Sequence, residues 1–121
     1  SLYEDGIRAS WRQWGVYDED AFNTFIAQPD VAYNADNAME LIHNQKWVAL
    51  YLNGLEAWAE WRRTGYPELE PAPDPLSDLP EIPVRQAYPT SERDLNSDNY
   101  NAGVSLLGGE DNLHTPLWWD K

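Results

Sequence analysis

The chain has 121 residues, 21 acidic against 8 basic side chains for a net charge of −13, and no cysteine. The acidity excludes nucleic acid and an anionic lipid surface as direct partners, since both need clustered Lys and Arg. The missing cysteines exclude disulfides, iron–sulfur clusters and thiol catalysis. The length suits one domain or one piece of a larger one, and no apolar run approaches the roughly 18 residues of a membrane span.

Three helices are predicted, all in the first half. Over about 2–14, Tyr3, Ile7, Trp11 and Trp14 recur at helical spacing and form one apolar face. Gly15 is expected at the C′ position, where φ is often positive. The amphipathic start at Leu2 also leads us to expect coding sequence upstream, with any targeting segment lying there. Asp18 caps a second helix over about 18–27, with acids in its first turn and Pro29 as its stop. Val31 to Tyr33 is expected to run extended.

The third predicted helix covers 36–64 and carries Met39, Ile42, Trp47, Leu50, Tyr51, Leu55, Trp58 and Trp61 on a broad apolar stripe. Asp36 or Asn37 caps it, and Asn37 with Glu40 approximates a capping box. Unbroken, it would be roughly 43 Å long. Gly54 would then lie in its interior, marking close packing or a kink. Arg62 and Arg63 complement the dipole in the last turn, and Gly65 and Pro67 end the helix.

Seven of the 9 prolines fall between 67 and 89, and PAPDPLSDLP can be neither helix nor central strand. Apolar residues nonetheless continue from Ile82 to Trp119, a load that a disordered tail would not carry. The fold class is therefore mainly α. Helices at about 2–14, 18–27 and 36–64 are followed by an ordered, Pro-rich, mostly irregular segment over 67–121 that packs on the helical part, 1–66. Its most mobile stretch is expected at Pro75–Leu79.

The densest chemistry lies in EAWAEWRRTGYP, residues 56–67. Glu56 and Glu60 sit one helical turn apart, about 5–6 Å between Cβ atoms, a separation near that of a retaining glycosidase pair. Glu60, however, is placed to pair with Arg63 at i+3, and Glu56 faces back toward Arg62 or Arg63. Carboxylates saturated by arginine have lowered pKa values and make poor general acids. Trp58, Glu60, Trp61, Arg62 and Arg63 are accordingly read as a structural joint, with no catalytic residue.

No cofactor or metal site is expected. Asp94, Asn96 and Asp98 have the spacing that opens an EF-hand loop, but Asn99 and Ser105 stand where glycine and glutamate are required. His43 and His114 have no second ligand in phase. Trp118, Trp119 and Tyr88 offer flat faces for stacking on sugar rings, although aromatics on an amphipathic stripe are more often core. In an extended end, Trp118 and Trp119 would point to opposite sides.

In order and spacing, several stretches resemble the C-terminal part of the SusD/RagB family of outer-membrane nutrient-binding lipoproteins. They are LYEDGIRASWRQWGV at 2–16, Gln45-Lys46-Trp47, EAWAEWRRTGYP at 56–67, IPVRQAYPTSE at 82–92, NSDNYNAG at 96–103 and the closing WWDK. The resemblance covers essentially the whole chain and implies a fragment of a larger α domain. It also implies a surface-exposed protein, held at the outer membrane by a lipid anchor upstream. Such a protein binds oligosaccharide or another nutrient, without catalysis, and delivers it to a SusC-type TonB-dependent transporter. No ligand-binding residue transfers position by position. What transfers is structural: the joint at 58–63, with Arg85 and Tyr88 anchoring the tail. The competing readings are a glycoside hydrolase using Glu56 and Glu60, and a non-catalytic interaction module.

Overall fold

The computed structural model describes residues 1–75 and 80–120, in which every regular element is helical. The chain divides into two compact units, Ser1–Glu68 and Leu69–Lys121.

In the first unit, α1 (Leu2–Gln13) ends as its sequence requires. Gly15 takes φ 70°, its N–H reaches Arg12 O at 3.1 Å and the Val16 N–H reaches Trp11 O at 3.0 Å. These two bonds make a Schellman ending, which satisfies carbonyls that would otherwise be orphaned. Helix α2 (Glu19–Ile26) is capped by Asp18, whose carboxylate accepts from Ala21 N at 2.8 Å. The core lies between them: Ile7, Phe22 and Val31 are buried, with Tyr3, Trp11, Tyr17, Phe25 and Ile26 packed around. Trp11 meets Phe22 edge-on at 5.6 Å, and the Arg8 guanidinium lies over the Phe22 ring at 4.6 Å, geometries the ring quadrupole favours.

The stretch after α2 is a turn, not the extended segment expected. Val31 and Ala32 both donate their N–H to Gln28 O, and this curl carries Val31 into the core while Tyr3 Oη donates to Val31 O at 2.8 Å.

The predicted helix over 36–64 is corrected to three elements: a 3₁₀ turn at Ala35–Asn37, α3 (Ala38–Ala49) and α4 (Gly54–Thr64). Asn37 makes no side-chain cap. Asn34 caps instead, accepting from Asp36 N at 3.0 Å. The break falls at Leu50–Asn53, where Leu52 adopts φ 66° and Asn53 N–H closes a turn on Leu50 O at 2.8 Å. Gly54 therefore opens α4 and is no kink within a longer helix. Asn-Gly is a strong turn pair, and it overrides the continuous apolar stripe because α3 and α4 gain more by folding back on each other.

In the second unit, the segment read as mostly irregular contains two helices, α5 (Thr90–Leu95) and α6 (Ser97–Leu107), hinged at Asn96. Asp94, Asn96 and Asp98 lie at this junction, where Asn96 Nδ2 donates to Glu92 and Asn99 Nδ2 donates to Asn96. Beyond α6, Asn112 Oδ1 accepts from the N–H groups of His114 and Thr115 at 2.9 and 2.8 Å. Leu113 O accepts from Val84 N at 2.8 Å and from Arg85 N at 3.2 Å, tying the two ends of the unit together. Trp118 and Trp119 form a turn and are not extended. Of Pro75–Leu79, residues 76–79 lie outside the described residues.

Candidate functional site

The most concentrated polar chemistry sits where α3 and α4 fold back on each other. Glu60, 7% exposed, receives three side chains. His43 Nδ1 of α3 lies 2.8 Å from Oε1 and Lys46 Nζ 2.9 Å from Oε2. Arg63, one turn along α4, bonds Oε1 through Nη2 at 2.8 Å and Oε2 through Nε at 3.3 Å. An ionised carboxylate only accepts, so His43 Nδ1 carries the proton in this bond. The His43 ring lies parallel to Tyr66, 5° between planes.

Burial alone would push the Glu60 carboxyl up, but the hydrogen bonds and positive charges of Lys46 and Arg63 outweigh it and hold it down at about 2. A carboxyl in that state is ionised throughout the physiological range and donates no proton. Glu56 is exposed and stands outside the cluster, so the two glutamates do not form a pair. Arg62 lies over Trp58, with Cζ 4.0 Å from the ring centre.

The helix end is finished by local bonds. Gly65, at φ 76°, donates its N–H to Trp61 O at 2.7 Å. Thr64 Oγ1 donates to Glu60 O and accepts from Tyr66 N.

The second cluster lies wholly in the second unit. Arg85, 6% exposed, bonds Asp111 Oδ1 at 2.7 Å and Asn112 O at 3.0 Å through Nη1. Tyr88 N donates to Asp111 Oδ1 at 3.0 Å and Tyr100 Oη donates to Oδ2 at 3.2 Å. Burial pushes Asp111 up, but the Tyr88 N–H, Arg85 and Tyr100 bonds reverse this and leave it below the usual carboxylate range. Arg85 also lies 5.1 Å from the Tyr88 ring centre, and Tyr88 meets Tyr100 edge-on at 6.0 Å.

Of the residues singled out in the sequence, Glu60 and Arg63 meet in one cluster, Trp58 and Arg62 stack beside it, and Arg85 and Tyr88 meet in the other. His43, Lys46, Asp111 and Tyr100 were missed. The signal for Lys46 was present in the Gln45-Lys46-Trp47 step, but nothing local couples Asp111 to Arg85. Trp118 is 85% exposed and Tyr88 42%, the Tyr88 ring also meeting Tyr100 and Arg85.

A third feature is an apolar groove of about 670 Å³ between α1 and α3, lined by Ile7, Trp11, Ile42 and Val48 among others. Seven of its thirteen lining residues carry a hydrogen-bonding side chain, among them Tyr3, Tyr33, Gln45 and Lys46, the last already bound to Glu60. Among the described residues no group of three or more His, Cys, Asp or Glu could hold a metal ion, and no helix is long and apolar enough to cross a membrane.

A family model described as "SusD-like, starch-binding associating with outer membrane" matches residues 1–89. Three solved structures superpose closely. A Bacteroidetes SusD-like protein is 34% identical with a TM-score of 0.87, over 98% of this chain and 25% of its own. A SusD homologue from Bacteroides uniformis is 31% identical with a TM-score of 0.83, over 98% of this chain and 31% of its own. A chitin-binding SusD homologue from Flavobacterium johnsoniae is 34% identical with a TM-score of 0.80, over 99% of this chain and 31% of its own. The chain thus spans between a quarter and a third of the length of the structures it matches. No curated protein matches it.

Proposed function

The chain belongs to the SusD-like family, and from that premise we propose that the protein captures oligosaccharide at the outer cell surface. In this reading it passes the sugar to a SusC-type TonB-dependent transporter, and a lipid anchor outside these 121 residues holds it to the outer membrane. The observation that carries the proposal is the likeness, along nearly the whole chain, to a homologue that binds chitin.

Catalysis has no part in this reading. Glu60 is committed to three cationic or hydrogen-bonding partners, and a carboxyl held at about 2 makes a poor general acid. Trp58, Glu60, Trp61, Arg62 and Arg63 act as the joint that sets α3 against α4, and Arg85 and Tyr88 act with Asp111 as a clasp within the second unit. The stretch described here supplies architecture, and the glycan contacts come largely from the rest of the protein.

A glycan array on the full-length gene product, followed by co-purification from detergent-solubilised outer membranes, tests the proposal. Oligosaccharide binding and recovery of a TonB-dependent barrel are expected. Binding without the barrel would remove the delivery role, and the absence of both binding and barrel would remove the proposal.

A further inference from the structure

Asn53 closes the reversal after α3 and Gly54 opens α4, and the chain holds no other Asn-Gly pair. Both residues are exposed. Asn53 stands at the cap position, yet its side chain caps nothing. The first N–H groups of a helix have no carbonyl of that helix to bond. Among the described residues, the Asn53 carboxamide and the Gly54 N–H thus both lack a hydrogen-bond partner. A Cβ added at Gly54 would meet nothing within 4 Å, so the space beside its nitrogen is open.

We propose that Asn53 is a site of spontaneous covalent modification, with water as the co-reactant. The Gly54 nitrogen attacks Asn53 Cγ and forms an N–Cγ bond. The Cγ–Nδ2 bond breaks, and the departing nitrogen takes the Gly54 amide proton and leaves as ammonia. Water then opens the cyclic imide. Opening at Cγ gives aspartate with a normal backbone. Opening at the backbone carbonyl gives isoaspartate, whose main chain runs through Cγ and is one carbon longer.

Ring closure requires rotation about the Asn53 Cα–C bond away from ψ 67°. That rotation breaks the Ala57 N–H bond to Asn53 O at 3.0 Å, one bond at a helix end. Leu52, strained at φ 66°, favours the loosening. The related pairs elsewhere are held. Asp5-Gly6 lies inside α1, where the helix fixes its backbone. The carboxamide of Asn96, before Ser97, is engaged at both ends: Nδ2 donates to Glu92 and Oδ1 accepts from Asn99.

The two products act differently on the fold. Aspartate places a carboxylate at the N-terminus of α4, where the cap position and the helix dipole favour it. Isoaspartate inserts a main-chain carbon into the reversal that brings His43 to Glu60, and so loosens that contact. The inference is independent of the ligand, so a failure to bind glycan leaves it standing.

Peptide mass spectrometry of the folded full-length gene product, sampled during storage in mildly alkaline buffer, tests it. Cleavage after Lys46 and Arg62 releases residues 47–62, in which Asn53 is the only asparagine. Conversion there should run at least about tenfold faster than at Asn96, where the engaged side chain must first be freed. Gly54→Ala adds a Cβ that meets nothing within 4 Å, so the variant is expected to fold. It should slow the conversion at least about tenfold by shielding the nitrogen. The isoaspartyl form, separated chromatographically, should unfold at lower urea than the unmodified protein, whereas Asn53→Asp should not. Equal conversion at Asn53 and Asn96, conversion unaffected by Gly54→Ala, or conversion only after unfolding in urea would overturn the modification site. An isoaspartyl form as stable as the unmodified protein would overturn its effect on the reversal.

Discussion

His43 and Glu60 are 17 positions apart in the chain and 2.8 Å apart in space. On one straight helix they would stand roughly 25 Å apart along the axis, so this contact requires the reversal at Leu50–Asn53. Leu52 at φ 66° is the strained residue in that reversal. The return on that strain is a buried carboxylate with both oxygens satisfied and two helices fixed against each other.

Replacing Glu60 should therefore destabilise the protein. Removing one member of a buried ion pair costs about 3–5 kcal/mol. Here Lys46 and Arg63 are half exposed and can return to water. Glu60→Gln is thus expected to lose about 3 kcal/mol, the low end of that range. Glu56→Gln, on the exposed side, should stay within about 0.5 kcal/mol. Urea unfolding of the two variants checks this, and equal losses would contradict it.

Acid should weaken the fold through the same group. The folded-state pKa of Glu60, about 2, lies below its ordinary 4.5, so between these values the unfolded chain binds more protons than the folded one. Stability from this contact is complete above about pH 5 and is lost as pH falls toward 2, by about 3 kcal/mol in total. Asp111 is shifted in the same direction and adds to the loss. Denaturant titrations from pH 6 to pH 2 should show the decline, and Glu60→Gln should remove the larger part of it.

The second unit should depend on Asp111. Asp111→Ala leaves the Arg85 guanidinium buried without its carboxylate and is expected to cost about 3–5 kcal/mol. Tyr100→Phe removes one hydrogen bond to a charged group, at about 1.5–3 kcal/mol. Amide hydrogen exchange should show faster exchange at Tyr88 and at Val84 and Arg85 in both variants, the alanine variant being the more affected. Unchanged exchange at these amides would argue against the clasp.

The reversal itself can be eased. Leucine in the left-handed region costs about 1–2 kcal/mol, and glycine surrenders about 0.5–1 kcal/mol of chain entropy. Leu52 is exposed and gives up little packing. Leu52→Gly should accordingly raise stability by about 0.5–1 kcal/mol. Leu52→Val, stiffer at this φ, should lower it, and thermal unfolding separates the two.

Local physics made α1, α2 and the Gly65 helix end legible: apolar spacing and a positive-φ glycine specify the end of α1 and the Gly65 end, and the Asp18 cap specifies the start of α2. The Glu60–Arg63 pair was legible for the same reason, at i+3. The break at Leu50–Asn53 was not, because a continuous apolar stripe masked the Asn53-Gly54 turn. What decides the break is a set of contacts between His43, Lys46 and Glu60 that no local window contains. Helices α5 and α6 escaped because their Asx-rich sequence also favours turns. Asp111 escaped because it meets Arg85 across 26 positions.

We propose that this chain is part of a glycan-binding protein in which Glu60 holds structure and does no chemistry. Calorimetric titration of the full-length gene product with chito- and malto-oligosaccharides, with reducing ends assayed in the same cell contents, tests it most directly. The expected result is saturable binding of at least one series, no release of reducing ends, and the same affinity in Glu60→Gln at a temperature where both proteins are folded. Release of reducing ends that Glu60→Gln abolishes, or no binding of any oligosaccharide, would contradict the claim.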